Sequence, residues 1–166
     1  MASVRVLVVD DYEPFRRFVR STMEQKLGVQ VVGEAYDGLE AVQKSEELRP
    51  DLIVLDLSLP KLNGIEAARQ IRKRSSESKI LIVSQESSAD IAHEAFSTGV
   101  QGYVVKAYAG SELSTAVEAV LHGRQFISSR LLPFAQNAQG PDCLDDQEGA
   151  TSVARGKVGD TLARAT

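Results

Sequence analysis

The residues of this sequence best suited to chemistry stand where short apolar runs end. They are two adjacent aspartates, a third aspartate, a serine and a lysine: Asp10, Asp11, Asp56, Ser84 and Lys106. Three carboxylates crowded together repel one another, and a hard divalent cation with an octahedral shell of oxygen ligands, magnesium above all, relieves that repulsion. A carboxylate beside such a cation can attack phosphorus, because the metal neutralises charge on the transferring group. If the fold gathers these residues, they predict phosphoryl chemistry, with the lysine and the serine contacting phosphoryl oxygens.

The apolar runs that precede these residues are rich in valine, isoleucine and leucine. Such runs are typical of parallel strands that are buried on both faces of a sheet. The segments between them keep the i, i+3, i+4 spacing of amphipathic helices. The five predicted strands cover residues 4–9, 29–35, 52–55, 80–83 and 103–105.

Alternating strands and helices of this kind predict an α/β fold. We expect a doubly wound five-stranded parallel sheet of the flavodoxin-like (βα)5 type, with strand order 2-1-3-4-5. Right-handed crossovers place the carboxyl ends of all five strands at one edge. Ligands bind at that edge in open α/β sheets. The chemistry-bearing residues are therefore expected to meet there, although they span almost the whole folded part.

Four separated motifs also carry a family resemblance: VLVVDD, LIVLDLSLPKLNG, ILIVSQES and GYVVK. In order and strand context they resemble the receiver domain of two-component response regulators, over residues 4 to about 129. The resemblance implies that Asp56 is the phosphoacceptor. It further implies a Mg²⁺ ion bound directly by Asp11 and Asp56 and by the backbone carbonyl of Ser58, with Asp10 organising the site indirectly.

The same resemblance assigns the remaining site residues. Ser84 and Lys106 would contact the phosphoryl group, and Ser84 and Tyr103 would form the switch between the inactive and active states. One position departs from the family pattern: Ala107 stands where most receivers have a proline after the lysine. The cis peptide bond that usually precedes this proline is not expected before Ala107, because a cis bond before a residue other than proline costs roughly 3 kcal/mol. The loop after Lys106 is therefore expected to differ from the usual one.

Partners follow from the resemblance as well. A sensor histidine kinase or a histidine phosphotransfer protein would supply the phosphoryl group. The output would be a downstream protein or a homodimer, with the surface around residues 87–121 the favoured contact. The domain would have no external product, so we do not expect an enzyme.

Composition sets further bounds on location and partners. The chain has 43% hydrophobic and 25% charged residues and a net charge of −4, which gives no electrostatic reason to expect direct DNA binding. Its N-terminus lacks the features of a signal peptide, and no apolar run approaches the length of a membrane span. The single cysteine, Cys143, cannot form an internal disulfide, which favours a reducing compartment. We expect a cytoplasmic protein without a membrane partner.

The composition changes near residue 131. We expect a receiver domain over residues 1–130 and a weakly ordered tail over residues 131–166, where large apolar residues are scarce. The stretch AGSELSTAVEAVLHGRQFIS is similar to the end of receivers that precede a LuxR-type helix-turn-helix domain. The residues after it do not follow a helix-turn-helix pattern, so we expect no such output domain in this chain.

Other interpretations of the same residues remain open. A haloacid-dehalogenase-type phosphatase also uses an aspartyl phosphate, but it has a second aspartate where this chain has Ser58. A nucleotide-binding module would need a glycine-rich phosphate loop, and no GxxxxGK[ST] or GxGxxG is present. The chain could also be the receiver of a transcriptional regulator that has lost its DNA-binding domain, or an interaction module independent of phosphorylation.

Overall fold

A parallel sheet of six strands forms the centre of the protein. The computed structural model describes residues 3–131, and the strand order is β2-β1-β3-β4-β5-β6. The strands are β1 Arg5–Val9, β2 Gln30–Ala35, β3 Leu52–Leu55, β4 Lys79–Ser84, β5 Gly102–Val105 and β6 Phe126–Ile127. The first five confirm the predicted flavodoxin-like fold and the order 2-1-3-4-5.

Five helices connect the strands and cover both faces of the sheet. They are α1 Glu13–Ser21, continued by a π-helical turn over Thr22–Lys26, then α2 Gly38–Leu48, α3 Gly64–Arg74, α4 Ala89–Ser97 and α5 Ala109–Leu121. Three of them begin at a side chain that accepts a backbone N–H in the first turn, namely Asp37, Asn63 and Ser88. Within residues 3–131 no helix is both long enough and apolar enough to cross a membrane.

The central strands are apolar on both faces, as the sequence pattern indicated. On one face, side chains of β1, β3 and β4 pack against α5 and against Val19 and Met23, which are fully buried. This packing removes large side chains from water on both sides of the sheet. This packing fixes the positions of the carboxyl ends of β1, β3 and β5.

The strand β6 is a feature that the sequence analysis missed. It pairs in parallel with β5, and the N–H of Ser128 donates to the carbonyl of Tyr103 at 2.9 Å. The Glu112 carboxylate of α5 accepts from both Ser128 and Ser129, which fixes the segment that follows β6. Leu131 is buried, although the prediction placed it in the tail. The rest of the predicted tail lies outside the described residues.

Candidate functional site

Three aspartates meet at the carboxyl edge of the sheet. Asp10 and Asp11 follow β1, Asp56 follows β3, and one carboxylate oxygen of each lies within 4.8 Å of the others. Asp10 and Asp56 are buried, whereas Asp11 is exposed. The N–H of Tyr12 donates to Asp10 Oδ1 at 2.8 Å and holds that side chain in the turn. Parallel pairing of β1 with β3 is what brings the carboxylates together.

Lys106, at the end of β5, extends its ammonium group into this cluster. Its Nζ lies 2.7 Å from Asp10 Oδ2 and 3.4 Å from Asp56 Oδ2. The same ammonium lies 4.5 Å from the centre of the Phe15 ring, a cation–π contact. Despite its closeness to Lys106, Asp10 Oδ2 lacks a hydrogen bond of good geometry. One ammonium group is therefore shared by two of the three carboxylates and does not fully satisfy them.

The electrostatics of Asp56 reflect that shortage of positive charge. Burial, followed by the nearby charge of Asp10, raises the pKa of Asp56 to about 6. Lys106 and the backbone N–H groups of Ser58 and Leu57 act in the opposite direction without cancelling the rise. A carboxylate held in this way gains from any added positive charge beside it.

These residues fit a divalent metal ion. They line an open cleft of about 480 Å³ formed by Asp11, Tyr12, Asp56, Ser58, Gln85 and Lys106. The donors are carboxylate oxygens, which hard cations such as Mg²⁺ prefer. The incompletely satisfied Asp10 Oδ2 and the raised pKa of Asp56 both indicate a site that an added cation would stabilise. The backbone nitrogen of Ser58 donates to Asp56 Oδ1 at 3.4 Å.

Ser84 and Tyr103 lie next to the cleft and share one neighbour. Both are fully buried. The Ser84 hydroxyl oxygen accepts the N–H of Glu86 at 3.1 Å, and the Tyr103 hydroxyl donates to the carbonyl of Glu86 at 2.8 Å. Burial raises the pKa of Tyr103 to about 12. The tyrosine ring therefore lies in an inward position, within the interior of the protein.

The loop after Lys106 takes a simple path through the unusual Ala107. Lys106–Tyr108 forms a single 3-10 turn that leads directly into α5. No peptide bond among residues 3–131 is cis. The replacement of proline thus leaves the Lys106 side chain within the cleft.

Two contributors to the site were missed by the sequence analysis. Phe15 was interpreted only as an apolar position of α1, yet its ring lies beneath the Lys106 ammonium. Gln85 lines the cleft and directly follows Ser84 in the SQES motif, so its position in that motif could have indicated it.

Comparisons with known proteins show which family most of this chain matches. Residues 6–118 match the family described as response regulator receiver domain. The response regulator protein VraR of Staphylococcus aureus is 31% identical over 135 residues, which cover 81% of this chain and 65% of that protein. The chain thus spans about two thirds of the length of this relative.

Solved structures of response regulators are similar to this chain in fold and in sequence. A two-component response regulator of the LuxR family from Aurantimonas sp. SI85-9A1 superposes with a TM-score of 0.77 and 37% identity, covering 82% of this chain and 99% of that one. The signal receiver domain of the putative response regulator NarL from Mycobacterium tuberculosis gives a TM-score of 0.71 and 31% identity, covering 75% and 100%.

Proposed function

This chain belongs to the response regulator receiver domain family of two-component systems, and on that premise we propose that Asp56 accepts a phosphoryl group. The donor is the phosphohistidine of a sensor kinase or of a phosphotransfer protein. The observation that carries the proposal is the convergence of Asp10, Asp11, Asp56 and Lys106 at one edge of the sheet.

In the proposed transfer, an Asp56 carboxylate oxygen attacks phosphorus. A P–O bond forms as the P–N bond to the donor histidine breaks, and the imidazole that leaves takes up a proton. Asp11, Asp56 and the Ser58 carbonyl would hold the Mg²⁺ ion, with Asp10 ordering them. When bound, this ion supplies charge neutralisation between the carboxylates and the phosphoryl oxygens.

Lys106 and Ser84 would contact the phosphoryl group itself. Lys106 lies 3.4 Å from Asp56, so its ammonium can turn from that carboxylate to a phosphoryl oxygen. Ser84 would exchange its bond with the Glu86 N–H for one that it donates to the phosphoryl group. The Tyr103 hydroxyl is hydrogen-bonded to Glu86 as well. This shared partner supports coupling between the phosphoryl group and the inward position of the tyrosine ring.

The output in this proposal is a change of protein contact around residues 87–121. A downstream protein or a second copy of the chain is the partner, and direct DNA binding is not part of the proposal. The single cysteine favours a reducing compartment, and we propose a cytoplasmic location. We do not propose an external substrate, so the chain is described as a receiver rather than as an enzyme.

Intact-mass measurement of the full chain with acetyl phosphate tests the proposal. We expect one added phosphoryl group in the presence of MgCl₂ and none in the presence of EDTA. Asp56→Asn should abolish the addition, whereas the matched variant Asp90→Asn, an exposed aspartate of α4, should retain it. Undiminished labelling of Asp56→Asn would refute the assignment, and no labelling of the wild type would favour a phosphorylation-independent module.

A pair of variants separates the roles of the acidic and basic residues. Asp11→Ala should weaken metal binding, because it removes a ligand. Lys106→Ala should leave metal binding largely intact and impair the transfer, because its charge pairs with the phosphoryl group. Equal losses of metal affinity in both variants would contradict these roles.

A further inference from the structure

One buried cation has no part in the chemistry described above. Arg16, in the first turns of α1, is only 9% exposed. Its Nη1 donates to the carbonyl oxygen of Asp10 at 2.8 Å, and its Nε donates to Glu34 Oε1 at 2.9 Å. The guanidinium also lies over the ring of Tyr36, 4.1 Å from the ring centre. An arginine fixed on three sides in this way has little freedom to move.

The contact with Asp10 reaches the acidic turn through the backbone. The Asp10 carbonyl belongs to the peptide group that joins it to Asp11, so Arg16 fixes the plane of that peptide. The N–H of Asp10 donates to the carbonyl of Ala35 at 3.1 Å. The two backbone groups of Asp10 are therefore anchored by α1, through Arg16, and by β2, through Ala35. Asp11 itself is exposed, and the direction of its carboxylate depends on this backbone.

Glu34 is the residue that fixes Arg16 in turn. Its second oxygen, Oε2, accepts from Arg20 Nη1 at 2.6 Å. Burial acts to raise the pKa of Glu34, but hydrogen bonds from Arg16 and Arg20 outweigh it and hold that pKa below its usual range. Glu34 therefore stays ionised and keeps the guanidinium directed at the Asp10 carbonyl.

We infer that Arg16 is a positioning residue for the divalent cation, acting on Asp11 through the Asp10–Asp11 peptide. The inference rests on the metal site of the proposed function. Mg²⁺ demands near-ideal octahedral geometry, whereas Ca²⁺ accepts longer and more variable bonds. A residue that fixes ligand direction thus favours Mg²⁺ over Ca²⁺. A purely structural residue would change stability and leave this selectivity unaltered.

The test measures metal selectivity in the full chain by NMR titration with MgCl₂ and, separately, with CaCl₂. Residues that orient metal ligands through hydrogen bonds typically contribute 10–100-fold to the affinity for the metal. We expect Arg16→Met to weaken Mg²⁺ binding about tenfold and Ca²⁺ binding by less than about threefold. Arg16→Lys, which keeps one donor, should recover part of the Mg²⁺ affinity. Thermal unfolding in EDTA records the structural effect of each variant separately.

Arg17→Met is the matched control. Arg17 is the next residue of the same helix, its side chain is 73% exposed, and it pairs with Glu13. This variant should bind both ions as the wild type does. Unchanged Mg²⁺ binding in Arg16→Met, or equal weakening for the two ions, would overturn the inference while leaving the proposed function intact. Failure of the wild type to bind Mg²⁺ would instead refute the proposed function.

A second variant covers the case in which Arg16→Met does not fold. Glu34→Gln keeps an acceptor for Arg16 but removes the charge that holds it. We expect a smaller loss of Mg²⁺ over Ca²⁺ selectivity, about threefold, in the same direction. Wild-type selectivity in both Glu34→Gln and Arg16→Lys would overturn the inference.

Discussion

Two carboxylates on either side of β1 have opposite surroundings. Glu34, in β2, is bound by Arg16 and Arg20, and its pKa is lowered. Asp56, after β3, faces Asp10 and shares one lysine with it, and its pKa is raised to about 6. The Glu34 side chain is 24% exposed and that of Asp56 is 5% exposed, so the difference in pKa reflects both the deeper burial of Asp56 and its smaller counter-charge. Two arginines thus pair with Glu34, whereas Asp56 has only part of one lysine, and Asp56 is the carboxylate that we propose as the phosphoacceptor.

That difference has a consequence for stability. A buried carboxylate without enough positive charge favours the unfolded state, in which water solvates it. A cation bound only by the folded protein reverses the penalty. The acidic cleft should therefore destabilise the fold in EDTA and stabilise it in MgCl₂. The ion pairs of Glu34 with Arg16 and Arg20 should stabilise the fold under both conditions.

The largest expected effect comes from removing the lysine that the acidic residues share. Lys106→Met leaves the buried carboxylates of Asp10 and Asp56 with no cation in direct contact. Removal of one member of a buried ion pair costs about 3 kcal/mol or more. We expect that loss in urea unfolding at pH 8 in EDTA, with much of it recovered in MgCl₂. Equal stability of variant and wild type in EDTA would show that the cluster carries little repulsion.

The next effect has the opposite sign. Asp56→Asn removes the charge whose burial is unfavourable, so in EDTA at pH 8 it should raise the free energy of unfolding by about 2 kcal/mol. The folded-state pKa of about 6 lies above the ordinary value of 3.8. The folded protein therefore holds the proton more tightly, and wild-type stability should fall as the pH rises from about 4 to 6. Asp56→Asn should lose this part of the pH dependence; an unchanged slope would contradict the assignment.

A smaller effect is expected at the other carboxylate. Glu34→Gln should lower the free energy of unfolding by about 1 kcal/mol, because two arginines lose an ionised acceptor. The stability from Glu34 is present above its unfolded-state pKa and is lost as the pH falls through the lowered folded-state value. The comparison of this variant with Asp56→Asn in EDTA is decisive: the two changes must have opposite signs.

The smallest effect belongs to an exposed carboxylate that serves as a reference. Glu13 pairs with Arg17 on the surface of α1, where both side chains are mostly exposed. Glu13→Gln should change the free energy of unfolding by less than about 0.5 kcal/mol. A change as large as that of Glu34→Gln would mean that burial does not distinguish these carboxylates.

The fold was predictable because β1, β3, β4 and β5 are mostly apolar and alternate with helical patterns, and the ends of these strands indicated where the acidic residues would meet. The strand β6 was not, because two residues carry no periodic pattern. Arg16 was missed for a different reason. A charged residue in the first turns of an amphipathic helix is normally exposed, and its burial here depends on Glu34, 18 positions away. Similarly, the inward position of Tyr103 depends on the backbone carbonyl of Glu86, which no side-chain pattern reports.

Chemical trapping of the modified residue tests the central claim most directly. Borohydride reduces an aspartyl phosphate to homoserine and leaves a free aspartate unchanged. The full chain is incubated with acetyl phosphate and MgCl₂, reduced, digested and sequenced by mass spectrometry. We predict homoserine at position 56 in the presence of MgCl₂ and none in EDTA. Homoserine at position 10 or 11, or its formation at position 56 without a divalent cation, would contradict the account.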